Sequence, residues 1–151
     1  DPQADYESSF YVSTEGWYGV PAVAFKAAFV GACRLVDGLP MTLAKRILFV
    51  RGDGESARDG QSIVRIHGEP RMREDMVRLE SGVADLRYRA EFVAWTASLQ
   101  IEFNASVLSQ EQLLSLVSLA GYSEGICEWR PSAPKSSTGD HGRFTLTDLL
   151  E

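Results

Sequence analysis

Thr96-Ala97-Ser98-Leu99-Gln100-Ile101-Glu102-Phe103-Asn104 alternates without a break, and residues 109–120 (SQEQLLSLVSLA) follow it with helical spacing. The first run sets Ala97, Leu99, Ile101 and Phe103 on one side and polar residues on the other, the period of a half-buried strand. Ser109 with Gln112 makes a capping box that opens the helix, and Gly121 suits the position just past its end. Beyond it stand Gly125-Ile126-Cys127-Glu128-Trp129-Arg130-Pro131 and Gly142-Arg143-Phe144. Residues 132–140 read as a loop and 143–147 as a closing strand. A glycine-rich, arginine-bearing segment beside such a unit suggests a surface where backbone meets a ligand.

Working outward, residues 21–36 (PAVAFKAAFVGACRLV) predict a helix. Pro21 suits its first position. Phe25, Ala28, Phe29, Ala32 and Leu35 follow one apolar stripe, and Asp37-Gly38 with Pro40 stop it. Residues 46–50 (RILFV) predict a short buried strand, 51–60 a polar glycine-rich loop, 62–67 another strand and 68–70 a turn. Residues 75–79 and 85–92 alternate, with Leu86, Tyr88, Ala90 and Phe92 opposite Arg87, Arg89 and Glu91, an antiparallel pattern with one wet face. The order predicts an α+β fold, a ferredoxin-like (RRM-like) antiparallel sheet with two helices and an inserted β-rich region. Its first strand is then 9–12 or lies upstream of Asp1. The expected organisation is an acidic arm or first strand over 1–16, one RRM-like domain over 17–147 with an insertion at about 51–92, and a tail over 148–151.

The 151 residues carry 15 Lys and Arg against 21 Asp and Glu, a net charge of −6. That balance argues against a strongly basic nucleic-acid binder. The excess is local, however. Asp1, Asp5, Glu7 and Glu15 at one end and Asp148 and Glu151 at the other account for it, so residues 16–147 are neutral and have room for basic patches. No apolar run reaches the length of a membrane span. Cys33 and Cys127 make no disulfide framework, and Cys33 fits a small buried hydrophobe. The expected compartment is cytoplasmic.

No metal site is expected, because His67 and His141 are the only histidines and no ligand spacing is present. No nucleophile motif appears. The glycines of 51–60 lack the Lys-Ser/Thr ending of a phosphate loop, and Arg51-Gly52-Asp53 is a common chance tripeptide. The chain is therefore read as non-catalytic and without a cofactor. Arg71, Arg73, Arg78, Arg87 and Arg89 fall within 19 residues. Guanidinium groups spaced along extended elements suit phosphate contacts; the same pattern fits a surface sheet laced with cross-strand ion pairs. Lys26, in the second turn of its helix, suits an anion held at that helix start, or simply faces solvent. Trp129-Arg130 offers a stacking plane and a cation to an unstacked base, or closes one end of the core.

Val20-Pro21-Ala22-Val23-Ala24-Phe25-Lys26-Ala27-Ala28-Phe29 resembles the Ile-Pro-Gly-Ser-Ser-Leu-Lys-Gly-Ala-Leu signature that opens the first helix in the RAMP superfamily of CRISPR-associated proteins. Ala22 and Ala27 replace its glycines, and Val23-Ala24 its serines. The segment from Gly125 through Trp129-Arg130-Pro131 to Gly142-Arg143-Phe144 resembles the glycine-rich closing segment of that superfamily. The chain is also similar to a group of phage-encoded proteins through Arg73-Glu74-Asp75-Met76-Val77-Arg78 and the stretch Trp95 to Phe144. The resemblance implies an RRM-like backbone subunit that assembles in several copies along a guide-like RNA and presents it to a complementary DNA or RNA target. It places Lys26 near the RNA backbone, gives the 51–92 insertion the role of thumb or palm, and assigns Arg130 and Arg143 to the glycine-rich segment. No motif carries a cutting aspartate over to Asp37, Asp53 or Asp59. The implied setting is the cytoplasm of a phage-infected or prophage-carrying bacterium. The alternative is a phage structural or assembly protein whose surfaces meet other proteins.

Overall fold

Residues 1–149 are described by a computed structural model. In chain order they form helix α1 (Pro2–Ser8), strands β1 (Tyr11–Val12) and β2 (Tyr18–Pro21), helix α2 (Ala22–Ala32) with a 3-10 turn over Cys33–Leu35, and helix α3 (Met41–Ile47). Strands β3 (Leu48–Arg51), β4 (Gly54–Glu55), β5 (Ser62–Arg65), β6 (Pro70–Arg78), β7 (Ala84–Phe92) and β8 (Gln100–Phe103) and helix α4 (Gln110–Ser123) complete the order. The architecture is mixed α+β with antiparallel strand pairing. It divides into two units, one of Asp1–Pro21 with Gly52–Leu99, the other of Ala22–Arg51 with the chain from Gln100 on.

The first unit is β-rich. An antiparallel sheet of order β1-β2-β5-β4 buries Ile63 and Val64, and β6 and β7 form a separate hairpin. Residues 1–16, expected to be an arm or a strand, instead begin with a helix. Asp1 caps it by accepting the Gln3 N–H at 3.2 Å, and Pro2 takes its first turn, where a missing N–H costs nothing. α1 docks on β7: the Ala90 N–H donates to Ser9 Oγ at 2.8 Å, and Arg58 Nη1 donates to the Ser8 carbonyl at 2.8 Å. An edge-to-face series of Tyr6, Phe10, Tyr18 and Phe92, with centroids 5.2, 5.5 and 5.8 Å apart, continues that contact.

The second unit packs α2 on α4, with α2 also against β3 and α3. Phe25, Ala28, Phe29 and Ala32 of α2 and Leu113, Leu116, Val117 and Ala120 of α4 are buried. Burial of each Phe or Leu is worth about 2 kcal/mol. Ala28 and Ala32 are buried small residues on α2, and the Glu124 side chain, just past the end of α4, lies against Gly31. The capping box forms as expected, with Gln112 N donating to Ser109 Oγ at 3.1 Å and Ser109 N to Gln112 Oε1 at 2.8 Å.

Several expectations need correction. Pro21 ends β2 instead of opening α2. Residues 41–45, given no element by the sequence reading, and Arg46-Ile47, expected to open the strand, are helical: Met, Leu, Ala, Lys and Arg are good helix formers, and Lys45 and Arg46 sit in the last turn, where cations suit the helix dipole. The long strand shrinks to β8, because only Gln100–Phe103 find partners on β3 while Thr96 makes an isolated bridge with His67. Helix α4 runs past Gly121 to Ser123. Residues 143–147 form no strand, since the Phe144 N–H donates at 3.0 Å to the Gly121 carbonyl in the last turn of α4.

Candidate nucleic-acid interface

The five arginines of the middle segment all lie on the β6–β7 hairpin. Register pairs Arg71 with Glu91, Arg73 with Arg89, Asp75 with Arg87 and Val77 with Asp85, so these residues share one face. Arg78, opposite Ala84, lies on the other. Arg73 and Arg89 are like charges directly across from each other, which is unfavourable alone. Carboxylates across and along the strands offset this. Arg71 Nη2 lies 2.7 Å from Glu91 Oε1, Arg73 Nη1 2.6 Å from Glu91 Oε2, and Arg73 Nε 3.0 Å from Asp75 Oδ1. Arg87 Nε is 3.6 Å from Asp85 Oδ2. Arg78 Nη1 donates to the Gly82 carbonyl at 3.2 Å, across the hairpin tip.

The charge states follow from this lattice. Hydrogen bonds from Arg71 and then Arg73 hold the Glu91 carboxyl below its usual range. Glu91 and then Asp75 raise the Arg73 pKa. Burial, chiefly, lowers that of Arg89; Arg87 and Arg73 push the same way and Asp75 opposes them. The guanidinium forks at Arg71 and Arg73 thus already grip carboxylates.

The closing segment is built differently. Here the acceptors are backbone carbonyls, mainly those that the last turn of a helix leaves without partners. Glu124 N and Gly125 N donate to the Ala120 carbonyl at 2.9 and 3.0 Å, and Phe144 N to that of Gly121 at 3.0 Å. Arg143 Nε donates to the Tyr122 carbonyl at 3.0 Å while its guanidinium lies 4.4 Å from the centroid of the Tyr122 ring. Arg130 Nη1 donates to the Cys127 carbonyl at 3.1 Å and Nε to Ser132 Oγ at 3.2 Å. Trp129, at φ 60°, sets its ring edge-on to His141 with centroids 5.5 Å apart, and the His141 N–H donates to the Trp129 carbonyl at 2.9 Å.

The glycines of this segment, read from sequence as openings for a ligand, admit the chain itself. A Cβ on Gly142, which has φ +73°, would lie 1.8 Å from the Ile126 carbonyl oxygen, and one on Gly121 2.0 Å from that of Phe144. Trp129, Arg130 and Arg143 are thereby gathered into one knot over the C-terminal end of α4.

Lys26 has a different environment. Its Nζ lies 3.9 Å from the centroid of the Phe49 ring on β3. Phe49 is 47% exposed, whereas Leu48 beside it is fully buried. On the β3–β8 pair, Phe49 shares its face with Glu102, and Arg51 makes an ion pair with Glu102. Lys26 has no carboxylate partner among the described residues. A cation held over a half-exposed aromatic ring is a cation–π contact, and it keeps a positive charge beside an apolar ring at the surface of the sheet. Sequence reasoning singled out Lys26 and did not single out Phe49, the ring it lies over. The one signal was the two-residue period of Leu48, Phe49 and Val50, hidden because all three are apolar.

Among the described residues no group of His, Cys, Asp and Glu has a metal-holding arrangement, and no helix is long and apolar enough to cross a membrane. No family model, no curated protein and no solved structure matches this chain.

Proposed function

We propose that the protein is a non-catalytic RNA-binding subunit that assembles in several copies on a guide-like RNA and leaves the bases free to pair with a complementary strand. The observation that carries this reading is Lys26 placed 3.9 Å over the exposed Phe49 ring. Lys26 takes the phosphate and Phe49 stacks a base. A ferredoxin-like reading of the second unit goes with it. The order α2, α3, β3, β8, α4, with β3 and β8 antiparallel neighbours, contains the inner helix–strand–strand–helix succession of a β-α-β-β-α-β unit, with α3 as an added helix before β3.

The test is retention of single-stranded RNA by the full chain at low salt, followed by a salt titration. Phosphate contacts make binding weaken steeply with salt. Lys26→Glu together with Phe49→Ala is expected to lower affinity at least tenfold, since one stacked base is worth about 1–3 kcal/mol. A chain that binds no RNA at low salt overturns the reading. The second reading, a structural or assembly protein that meets other proteins, is favoured by the exposed apolar side chains Met72, Met76 and Leu86 of the hairpin.

A further inference from the structure

The β6–β7 hairpin has a second face, opposite the ion-pair lattice. Residues paired across the strands share a face, so Met72, Glu74, Met76 and Arg78 lie with Ala90, Tyr88, Leu86 and Ala84. Met72, Met76 and Leu86 are 42, 69 and 49% exposed. Alternation alone does not require this. A sheet with a single wet face exposes its charges and covers its apolar side; here the apolar side is open at Met72, Met76 and Leu86, while Tyr88, Ala90 and Phe92 are half-buried.

We propose that this face is an interface with a second copy of the same chain, two hairpins stacked face to face about a two-fold axis through Met76. The order of charges on β6 selects that occupant. Glu74 and Arg78 stand two residues to either side of Met76 and point the same way. A two-fold axis at Met76 sets Glu74 of each copy against Arg78 of the other, so the pair forms twice. The face is complementary to itself, as an isologous contact requires. Both residues are exposed, and Glu74 forms no ion pair among the described residues. Met76 meets Met76 at the axis, and an unbranched thioether chain adapts to an imperfect fit.

The size of the face sets the strength. About an axis at Met76 the strands overlap only over Glu74–Arg78 and their partners Ala84–Tyr88, which at roughly 3.3 Å per residue and about 10 Å across the pair offer on the order of 170 Å² per copy. That is below the roughly 800 Å² per partner of a standard interface, so the contact is weak and transient, with a dissociation constant expected in the micromolar-to-millimolar range. The proposal does not depend on RNA binding, and its test excludes RNA.

Nuclease-treated full chain is examined by sedimentation equilibrium from about 10 µM to about 1 mM, which covers most of that range. The wild type is expected to show a reversible monomer–dimer equilibrium. Glu74→Arg and Arg78→Glu each set like charges together and are expected to weaken it roughly tenfold. The double variant E74R/R78E restores the pairs in reverse and is expected to return to within about threefold of wild type. Met76→Glu is expected to abolish dimerisation, with unchanged circular dichroism showing that the hairpin persists. A wild type monomeric throughout, or a double variant as weak as the singles, overturns the proposal. So does a Met76→Glu protein that still dimerises as the wild type does.

Discussion

The hairpin and the closing segment both concentrate arginine, and they direct it to different acceptors. On the hairpin, Arg71, Arg73 and Arg87 meet carboxylates across or along the strands. Over α4, Arg143 and Arg130 meet backbone carbonyls. The first arrangement neutralises charge and holds side chains. The second leaves charge in place and holds the backbone. A guanidinium carries five N–H donors that need acceptors, and a sequence that supplies many arginines does not say whether the protein or a ligand provides them. Lys26 differs from both, having a ring beneath it and no ion pair with a carboxylate among the described residues.

The largest test of this contrast is steric. Gly142→Ala forces a Cβ at positive φ into the Ile126 carbonyl, and about 3 kcal/mol of stability should be lost. A thermal melt should show a fall on the order of 10 °C; an unchanged melting temperature would mean that the closing segment does not hold α4 as described. Next comes Glu91→Gln, which removes the shared acceptor of Arg71 and Arg73. Denaturant unfolding should register a loss of about 1–2 kcal/mol. Two guanidinium groups released from their carboxylate should also raise non-specific RNA binding severalfold. If RNA binding stays flat while stability falls, neutralisation by Glu91 is not what limits the hairpin.

Arg143→Ala removes a cation and a donor from a helix C-terminus, worth about 1 kcal/mol. Arg143→Lys should keep much of that, and equal losses in the two variants would break the argument. The smallest effect is in pH. Because the Glu91 carboxyl is held low in the folded protein, its contribution is complete above the ordinary Glu pKa of about 4.3. It disappears as pH falls below that value and through the folded pKa. Wild-type stability should therefore decline on acidification, and the Glu91→Gln protein should decline less. Parallel curves would show that other carboxylates carry the acid sensitivity.

What was legible in the sequence had local causes. The capping box of α4, the apolar stripe of α2 from Phe25 to Ala32 and the two-residue period of the hairpin are written in neighbouring residues, and each formed; Leu35, expected to continue the stripe, lies beyond the end of α2 and is exposed. α1 has a capping aspartate and a proline but no apolar stripe, so periodicity could not reveal it. Residues 143–147 alternate like a strand, yet their partner is the end of a helix, and no local pattern announces that. The same divide runs through the site. Lys26 stood out by type and position, whereas the exposure of Phe49 depends on the register of β3 against β8, which joins residues about fifty positions apart.

The hydrogen bond from His141 N to the Trp129 carbonyl ties together the two ends of residues 130–140. Lys135, Ser137 and Thr138 at the far side of that tie are exposed. Lengthening a loop whose ends are fixed costs little, about 0.6 kcal/mol for each doubling. The region near Lys135 is therefore a natural port for an inserted affinity tag or fluorescent label, one that leaves the strand pairings of the hairpin and the Lys26–Phe49 contact untouched.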